Sequence, residues 1–228
     1  MNVAVIPAYN EERSISGIVE EARKHVDYVV VVDDSSTDGT GDAARNSGAI
    51  VVENQKDRGV GAAIITGIDY VKKLRPRVVV ILDGDGQHYP TDIPRLIEPI
   101  VKGTAELVLG SRFLRSTPSS MTSLKRLGNK FLTFVVSLLV GRKFTDTQTG
   151  FRAFSQRALL ALNLRSRFTY TQEMILELCL RGYRCIEIPV RVRSRKYGNS
   201  KVASNIIRYA IKSLLIIVST YLLVKTQK

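Results

Sequence analysis

Cysteine is nearly absent from this 228-residue chain. Cys179 and Cys185 are the two it has. Their spacing matches neither a metal-binding knuckle nor a disulfide framework, so they read as free thiols of a reducing compartment. The first residues, MNVAVIPAYNEE, lack the basic stretch and small-residue cleavage site of a secretory leader. No internal repeat or low-complexity linker divides the chain, which is long enough for one good core with an appendage. Hydrophobic runs of membrane-spanning length are missing too. Ser213 to Val224, 12 residues free of charge, covers roughly 18 Å as a helix, against a hydrocarbon core of about 30 Å.

Acid is scarce in one half only. Residues 1–110 hold 12 Lys/Arg and 17 Asp/Glu, net −5, whereas residues 111–228 hold 22 Lys/Arg and 4 Asp/Glu, net +18. A surplus of that size exceeds what a solvated face needs and points to phosphates or an anionic surface. The acidic half suits a cation or a hydroxyl-rich ligand. Nucleic acid is not the expected partner. The basic half has no recognisable nucleic-acid motif, and its aromatics sit in apolar helices rather than between cations on a strand surface.

What the first half does contain is an alternation. NVAVI is a short apolar strand, and Asn10 is placed to cap a helix from Glu11 to about His25, with Ile15, Ile18, Val19 and Ala22 on one face. YVVVV (28–32) is a strand; after DDSSTDGT a helix leads to the strand AIVVE (49–53). Ile64, Ile65, Ile68 and Val71 give residues 59–73 helical spacing, VVVIL (78–82) is a strand, 91–101 a helix and ELVLG (106–110) a strand. β-Branched runs separated by helices indicate an α/β fold with a mostly parallel sheet buried on both faces. In the second half, 124–141 is a helix with cations at its start. FTDTQTGFRAFS (144–155) reads as a loop entering a helix, and 171–183 as a helix. CIEIPVRVR (185–193) is a strand that Pro189 assigns to an edge, SRKYGNSK (194–201) a charged loop, and 206–224 a last apolar helix.

Ligands of such sheets bind beyond the carboxyl ends of the strands. VIPAYNE, VVDDSS and LDGDGQ all sit at such ends, so three polar loops converge on one cleft. The core strand 78–82 ends in Asp83 and Asp85. Two unpaired carboxylates this close repel and raise each other's pKa, a cost that a hard divalent cation removes. Mg²⁺ in particular is held by one or two carboxylates plus substrate phosphates, and Gln87 and His88 are near enough to add a ligand or support one. A bare D-x-D is more often an acidic turn; its place at a core strand end, beside two companion loops, favours the metal. GVGAA (59–63) is not a dinucleotide loop, because NQKDR rather than a strand precedes it.

VIPAYNEE, VVDDSSTDGT and LDGDGQHYP together resemble glycosyltransferase family 2, with its Rossmann-like GT-A fold. GSRF (110–113), TDTQTGFRAF (145–154) and RKYGNSK (195–201) narrow the resemblance to the polyprenyl-phosphate glycosyltransferases, the dolichyl-phosphate mannose synthase type among them. The likeness covers nearly the whole chain in the family's order. It implies a GT-A catalytic domain over residues 1–204 and a C-terminal apolar helix over 205–228. It also implies that Pro7, Ala8, Tyr9 and Glu11 line a nucleotide pocket, with Tyr9 packed on the base. Asp33 or Asp34 would bond the base edge or the ribose, and Asp57 the nucleotide or sugar. Asp83, Asp85 and Gln87 would hold the Mg²⁺ or Mn²⁺ that bridges the donor diphosphate, with Asp85 also counted as catalytic. Arg112 and Arg126 would grip phosphate on the acceptor side, and Arg195 and Lys201 would grip phosphates from a mobile loop near them.

The acceptor follows from proton bookkeeping. A hydroxyl needs a general base, whereas a lipid monophosphate is already ionised near neutral pH. The basic half suits the second: a polyprenyl phosphate at the cytoplasmic face of a membrane, with GDP-mannose the first donor expected and UDP-glucose or UDP-N-acetylglucosamine the alternatives. Glu173 in TQEM is the residue available as base for a hydroxyl; an acid favoured by a helix N-terminus is the competing reading. Arg115, Arg142, Lys143, Arg191 and Lys212 are expected to face membrane or solvent. Helix 124–141 is expected at the membrane interface, with Lys125, Arg126 and Lys130 on headgroups, and helix 206–224 to lie in the interface or cover a partner, a second copy or a membrane subunit, with a short tilted span as the alternative.

Overall fold

A computed structural model of the chain describes residues 1–114, 121–195 and 206–227. Its strands are β1 (Asn2–Ala8), β2 (Tyr28–Asp33), β3 (Ile50–Glu53), β4 (Val78–Ile81), β5 (Leu107–Ser111), β6 (Arg152–Ser155) and β7 (Cys185–Pro189). Its helices are α1 (Glu12–Ala22), α2 (Thr40–Asn46), α3 (Val60–Leu74), α4 (Ile93–Val101), α5 (Ser123–Val140), α6 (Gln156–Ala161), α7 (Thr171–Leu180) and α8 (Ile206–Thr226). The strands form one seven-stranded sheet in the order β3-β2-β1-β4-β6-β5-β7. All neighbours run parallel except β6, which is antiparallel to both β4 and β5.

The core lies on both faces of this sheet. Alternate residues of β1 separate the two sides: Ala4 and Ile6 pack under α1 and α4, Val3 and Val5 against α3. A strand covered on both faces has no polar face, which is why NVAVI and VVVI read as continuous apolar runs. The helices α5 to α8 extend the second layer. α8 is seated on α5 and α7 along its length, with Ser213, Ile217, Thr220 and Val224 all buried.

Three local expectations are corrected. Asn10 does not cap α1: it adopts a left-handed φ of 53°, and its side-chain oxygen accepts from the Thr37 amide instead. Residues 91–101 split into a 3₁₀ turn (Pro90–Asp92) and α4, and the Asp92 carboxylate that a cap would use is taken by Arg191. FTDTQTGFRAFS is not only a loop, because its last four residues are β6, slotted between β4 and β5. β7 is the edge strand that Pro189 requires. Cys179 and Cys185 are free thiols, their Sγ atoms 2.6 Å apart.

Candidate active site

The antiparallel insertion of β6 builds the centre of the site. Its register pairs Ile81 with Arg152, so two residues further along Asp83 meets Gly150. The approach is so close that a Cβ on Gly150 would collide with the Asp83 carboxylate, so only glycine fits there. The TDTQTG segment is thereby laid beside the DGDGQ loop. From the other side the residues after β7 pin that same loop. Val192 bridges to His88, and the Arg193 amide donates to the Gln87 carbonyl at 3.0 Å. The guanidinium groups of Arg191 and Arg193 both stack on Tyr89, 5.1 and 5.0 Å from the ring centre.

A cavity of about 740 Å³ opens at the carboxyl ends of β1 and β4. Pro7, Ala8, Tyr9, Glu11, Asp34 and Asp57 line its donor side, and Asp83, Asp85, Gln87 and Arg195 its centre. Three loops distant in sequence therefore meet in one space. Asp33 is not among the lining residues. Strand alternation turns it to the opposite side of β2 from Asp34, into a separate pocket of about 230 Å³. There its Oδ1 accepts from the Ser36 amide. Asp38, not Asp33, holds the start of α2, through the Thr40 amide and hydroxyl.

The two central carboxylates differ. Burial, and then the charge of Asp85, push Asp83 up to about 7. Among the described residues nothing donates a hydrogen bond to Asp83. Asp85 accepts from the Gln87 amide at 3.0 Å and lies 3.7 Å from the Arg195 guanidinium, which also pairs with Glu11. A raised, unbonded carboxylate beside a second one and an amide oxygen is a donor set of hard oxygens. It fits Mg²⁺ or Mn²⁺. His88, behind them, is buried against Phe151 and driven down to about 3 by burial and by Arg112, so it stays neutral.

The remaining carboxylates are occupied. Asp34 takes the Asn54 side chain at 2.7 Å and the Gly59 amide at 2.9 Å, which fixes the loop carrying Asp57. Asp57 itself accepts from the Gly59 amide at 3.1 Å. Glu173 is only 3% exposed. Both its oxygens are spent on backbone amides, Oε1 on Arg165 at 2.8 Å and Oε2 on Ser166 at 3.0 Å. It ties down the loop that leads to the cavity wall at Arg167–Thr171, and it does not line the cavity.

Of the predicted acceptor-side cations, Arg112 is held by Asp146 in a two-pronged pair, Nε to Oδ2 at 2.7 Å and Nη2 to Oδ1 at 2.9 Å. Asp146 is oriented in turn by Glu187, which accepts from the Asp146 and Thr145 amides at 2.8 and 2.7 Å. Arg126 is half-buried in the first turns of α5, outside the cavity lining, and its Nε has no hydrogen-bond partner among the described residues. Lys201 and Arg115 lie outside the described residues. Arg142, Lys143, Arg191 and Lys212 are all exposed as expected, but Arg191 also holds a carboxylate and Lys212 also faces the cavity. Arg191 makes a bidentate pair with buried Asp92, at 3.4 and 3.0 Å. Lys212 lines the cavity.

Sequence reasoning also passed over Arg152, which is fully buried and donates to the carbonyls of Thr149 and Thr171. It likewise passed over Phe168 and Tyr209 in the cavity wall. A cation inside the apolar strand FRAF was the available signal for Arg152. Nothing in the pattern of α8 marks Tyr209.

The family model for glycosyl transferase family 2 matches residues 3–162. The UDP-N-acetylglucosamine–dolichyl-phosphate N-acetylglucosaminyltransferase of Methanococcus voltae is 31% identical over 229 residues, covering 91% of each chain. The undecaprenyl-phosphate mannosyltransferase of Micrococcus luteus is 31% identical over 226 residues, covering 92% of this chain and 90% of that one. Among solved structures, glucosyl-3-phosphoglycerate synthase from Mycobacterium tuberculosis, in complex with Mn²⁺, uridine diphosphate and phosphoglyceric acid, superimposes with a TM-score of 0.77. It is 18% identical, and the match covers 97% of this chain and 78% of that one. At that identity the likeness is one of fold.

Proposed function

Since the chain belongs to glycosyl transferase family 2, we propose that it moves a single sugar from a nucleotide-sugar to a polyprenyl phosphate at a membrane surface. The observation that carries this reading is the state of the carboxylates. Outside the Asp83–Asp85 pair, Glu11 is engaged by Arg195 and Asp34 by Asn54 and Gly59, while Asp57, exposed and accepting from Gly59, is assigned to the nucleotide end of the cavity. Glu173 is spent on the backbone. A hydroxyl acceptor would need one of them as base. A phosphate monoester brings its own ionised oxygen and needs none.

In the reaction, a phosphate oxygen of the acceptor bonds to the anomeric carbon while the bond from that carbon to the donor diphosphate breaks, with inversion. Asp83, Asp85 and Gln87 would hold a divalent cation, which when bound offsets the charge growing on the leaving diphosphate. Pro7, Ala8, Tyr9 and Asp57 form the nucleotide end of the cavity, with Tyr9 against the base, and Asp34 fixes that end. Arg195, 3.7 Å from Asp85, is assigned to the diphosphate, and Lys201 is expected to act with it. Arg112, held by Asp146, and Arg126 are assigned to the acceptor phosphate from beyond the cavity wall, since neither is among the residues that line the cavity. The curated relatives act on different sugars, so the donor is a finer question, with GDP-mannose expected ahead of UDP-glucose and UDP-N-acetylglucosamine.

The membrane half of the reading rests on α5 and α8. Leu124, Leu127, Phe131, Phe134 and Leu138 of α5 are all more than half exposed, and so are Ile211, Leu215 and Leu222 of the adjoining α8. Such side chains, with cations at the helix starts, suit an interface with anionic lipid. Arg208–Thr226 is the one helical stretch among the described residues long and apolar enough to cross a bilayer. Its inner side is buried against α5 and α7 from Ser213 to Val224, which supports a helix that lies on the domain in the membrane plane; the cytoplasmic face is the side proposed.

The test is a donor panel. Purified protein, polyprenyl phosphate in vesicles and Mg²⁺ or Mn²⁺ are mixed with each labelled donor, and label is counted in an organic extract. Label from one donor, abolished by chelation, supports the reading and names the sugar. Absence of lipid label from every donor, with nucleotide still bound, refutes it.

A further inference from the structure

The start of α8 enters the active-site cavity, although no motif marks it. Tyr209 and Lys212 line the cavity together with Phe168 from the loop before α7. The rings of Tyr209 and Phe168 lie 5.4 Å apart, and the Lys212 ammonium stands 4.9 Å from the Phe168 centroid. The Tyr209 hydroxyl donates to Gln148 Oε1 at 3.2 Å, an oxygen that also accepts from Gln172 at 2.6 Å. The Gln148 backbone amide donates to Asp146 Oδ1 at 3.3 Å, while its side-chain nitrogen donates to Thr147 Oγ1 at 3.3 Å, and Asp146 is the carboxylate that grips Arg112. A chain of contacts thus runs from α8 to the cation on the acceptor side.

The rest of the helix explains why this placement matters. Ile211, Leu215, Val218 and Leu222 form its exposed apolar stripe. Lys212 and Leu215 are three residues apart, just under one helical turn and about 4.5 Å along the axis. One rigid element therefore carries a cation at the cavity mouth and, one turn on, the surface that suits lipid. A molecule with an anionic head and an apolar tail matches that succession; a nucleotide-sugar does not.

We propose that Tyr209 and Lys212 are a further part of the acceptor site. Lys212 binds the phosphate of the lipid acceptor as it enters. Tyr209 is a positioning residue, which holds Gln148 and through it the Asp146–Arg112 pair. The inference rests on the polyprenyl-phosphate reading above and assigns a task to α8 within it.

Steady-state kinetics on the full chain, with vesicle-borne polyprenyl phosphate, test it. Lys212→Gln is expected to raise the acceptor KM about tenfold, the size of one charged contact. The donor KM and the thermal midpoint stay unchanged, and Lys212→Arg restores the acceptor KM. Tyr209→Phe keeps the ring contact with Phe168 and removes only the hydroxyl. It is expected to lower kcat roughly fivefold, as for one lost neutral hydrogen bond, with both KM values little changed. If Lys212→Gln raises the donor KM instead, Lys212 serves the donor diphosphate and the inference is overturned. Unchanged kinetics in both variants overturn it as well, while the wild type's lipid product keeps the broader reading standing. Wild-type protein that neither labels nor binds a short-chain prenyl phosphate by calorimetry overturns both.

Discussion

Asp83 is the residue whose environment says most about its use. Its carboxyl is pushed up to about 7, by burial first and the Asp85 charge second. The native protein therefore keeps a proton that the unfolded chain releases near the ordinary value of 3.8. Between those values the folded state binds more protons than the unfolded one, so stability falls as pH rises through the window. Thermal melts in chelator should show this decline in the wild type and a flatter profile in Asp83→Asn, which should melt higher than wild type at pH 8 yet transfer no sugar. Equal pH profiles would contradict the assignment. Glu173 gives the opposite kind of prediction. A glutamine in its place could accept for only one of the Arg165 and Ser166 amides, so Glu173→Gln should cost about 1–3 kcal/mol in chemical denaturation. The folded fraction should keep most of its transfer activity, whereas loss of a catalytic base would abolish it. The D-x-D pair was legible in sequence because carboxylates at the end of an apolar strand are costly. Asp146 and Glu187 were not, since their roles depend on which amides and cations the fold brings to them.

Among the elements, β1 to β5 and their helices were readable because each is long, apolar and regularly spaced. β6 was not. Four residues, RAFS, form an antiparallel strand only because β4 and β5 leave a slot between them, and that is a property of the sheet rather than of the segment. The pairing made by the residues after β7 was illegible for a similar reason. Arg191 resembles any surface cation until Asp92, 99 positions earlier, is found beneath it. Arg191→Ala leaves that buried carboxylate partly stripped of its partner and should lower the melting temperature. Because the same segment pins Gln87 and His88, metal affinity measured by titration should weaken in this variant too. Unchanged metal affinity would show that the DGDGQ loop holds its shape unaided. On α5, Phe131→Glu places a charge in the exposed apolar face and should release the protein from vesicles in a flotation assay, with its melting temperature preserved.

For the whole molecule, charge decides orientation. The second half has 22 cations and four acids. Three of these acids, Asp146, Glu173 and Glu177, are buried, and Glu187 is turned to the Thr145 and Asp146 amides. Little negative charge is left on that half's surface to offset its cations. Adsorption to anionic vesicles should therefore fall steeply with added salt, while a neutral-lipid vesicle should bind weakly at any ionic strength. The charge split was visible in composition alone, but the inward turn of the acids was not.

The central claim is that the acceptor supplies its own nucleophile. It is tested most directly by offering the same labelled donor to polyprenyl phosphate and to the corresponding polyprenol under identical conditions. The account predicts metal-dependent label on the phosphate and none on the alcohol. Label on the alcohol at a comparable rate would mean that the site deprotonates a hydroxyl, and would contradict it.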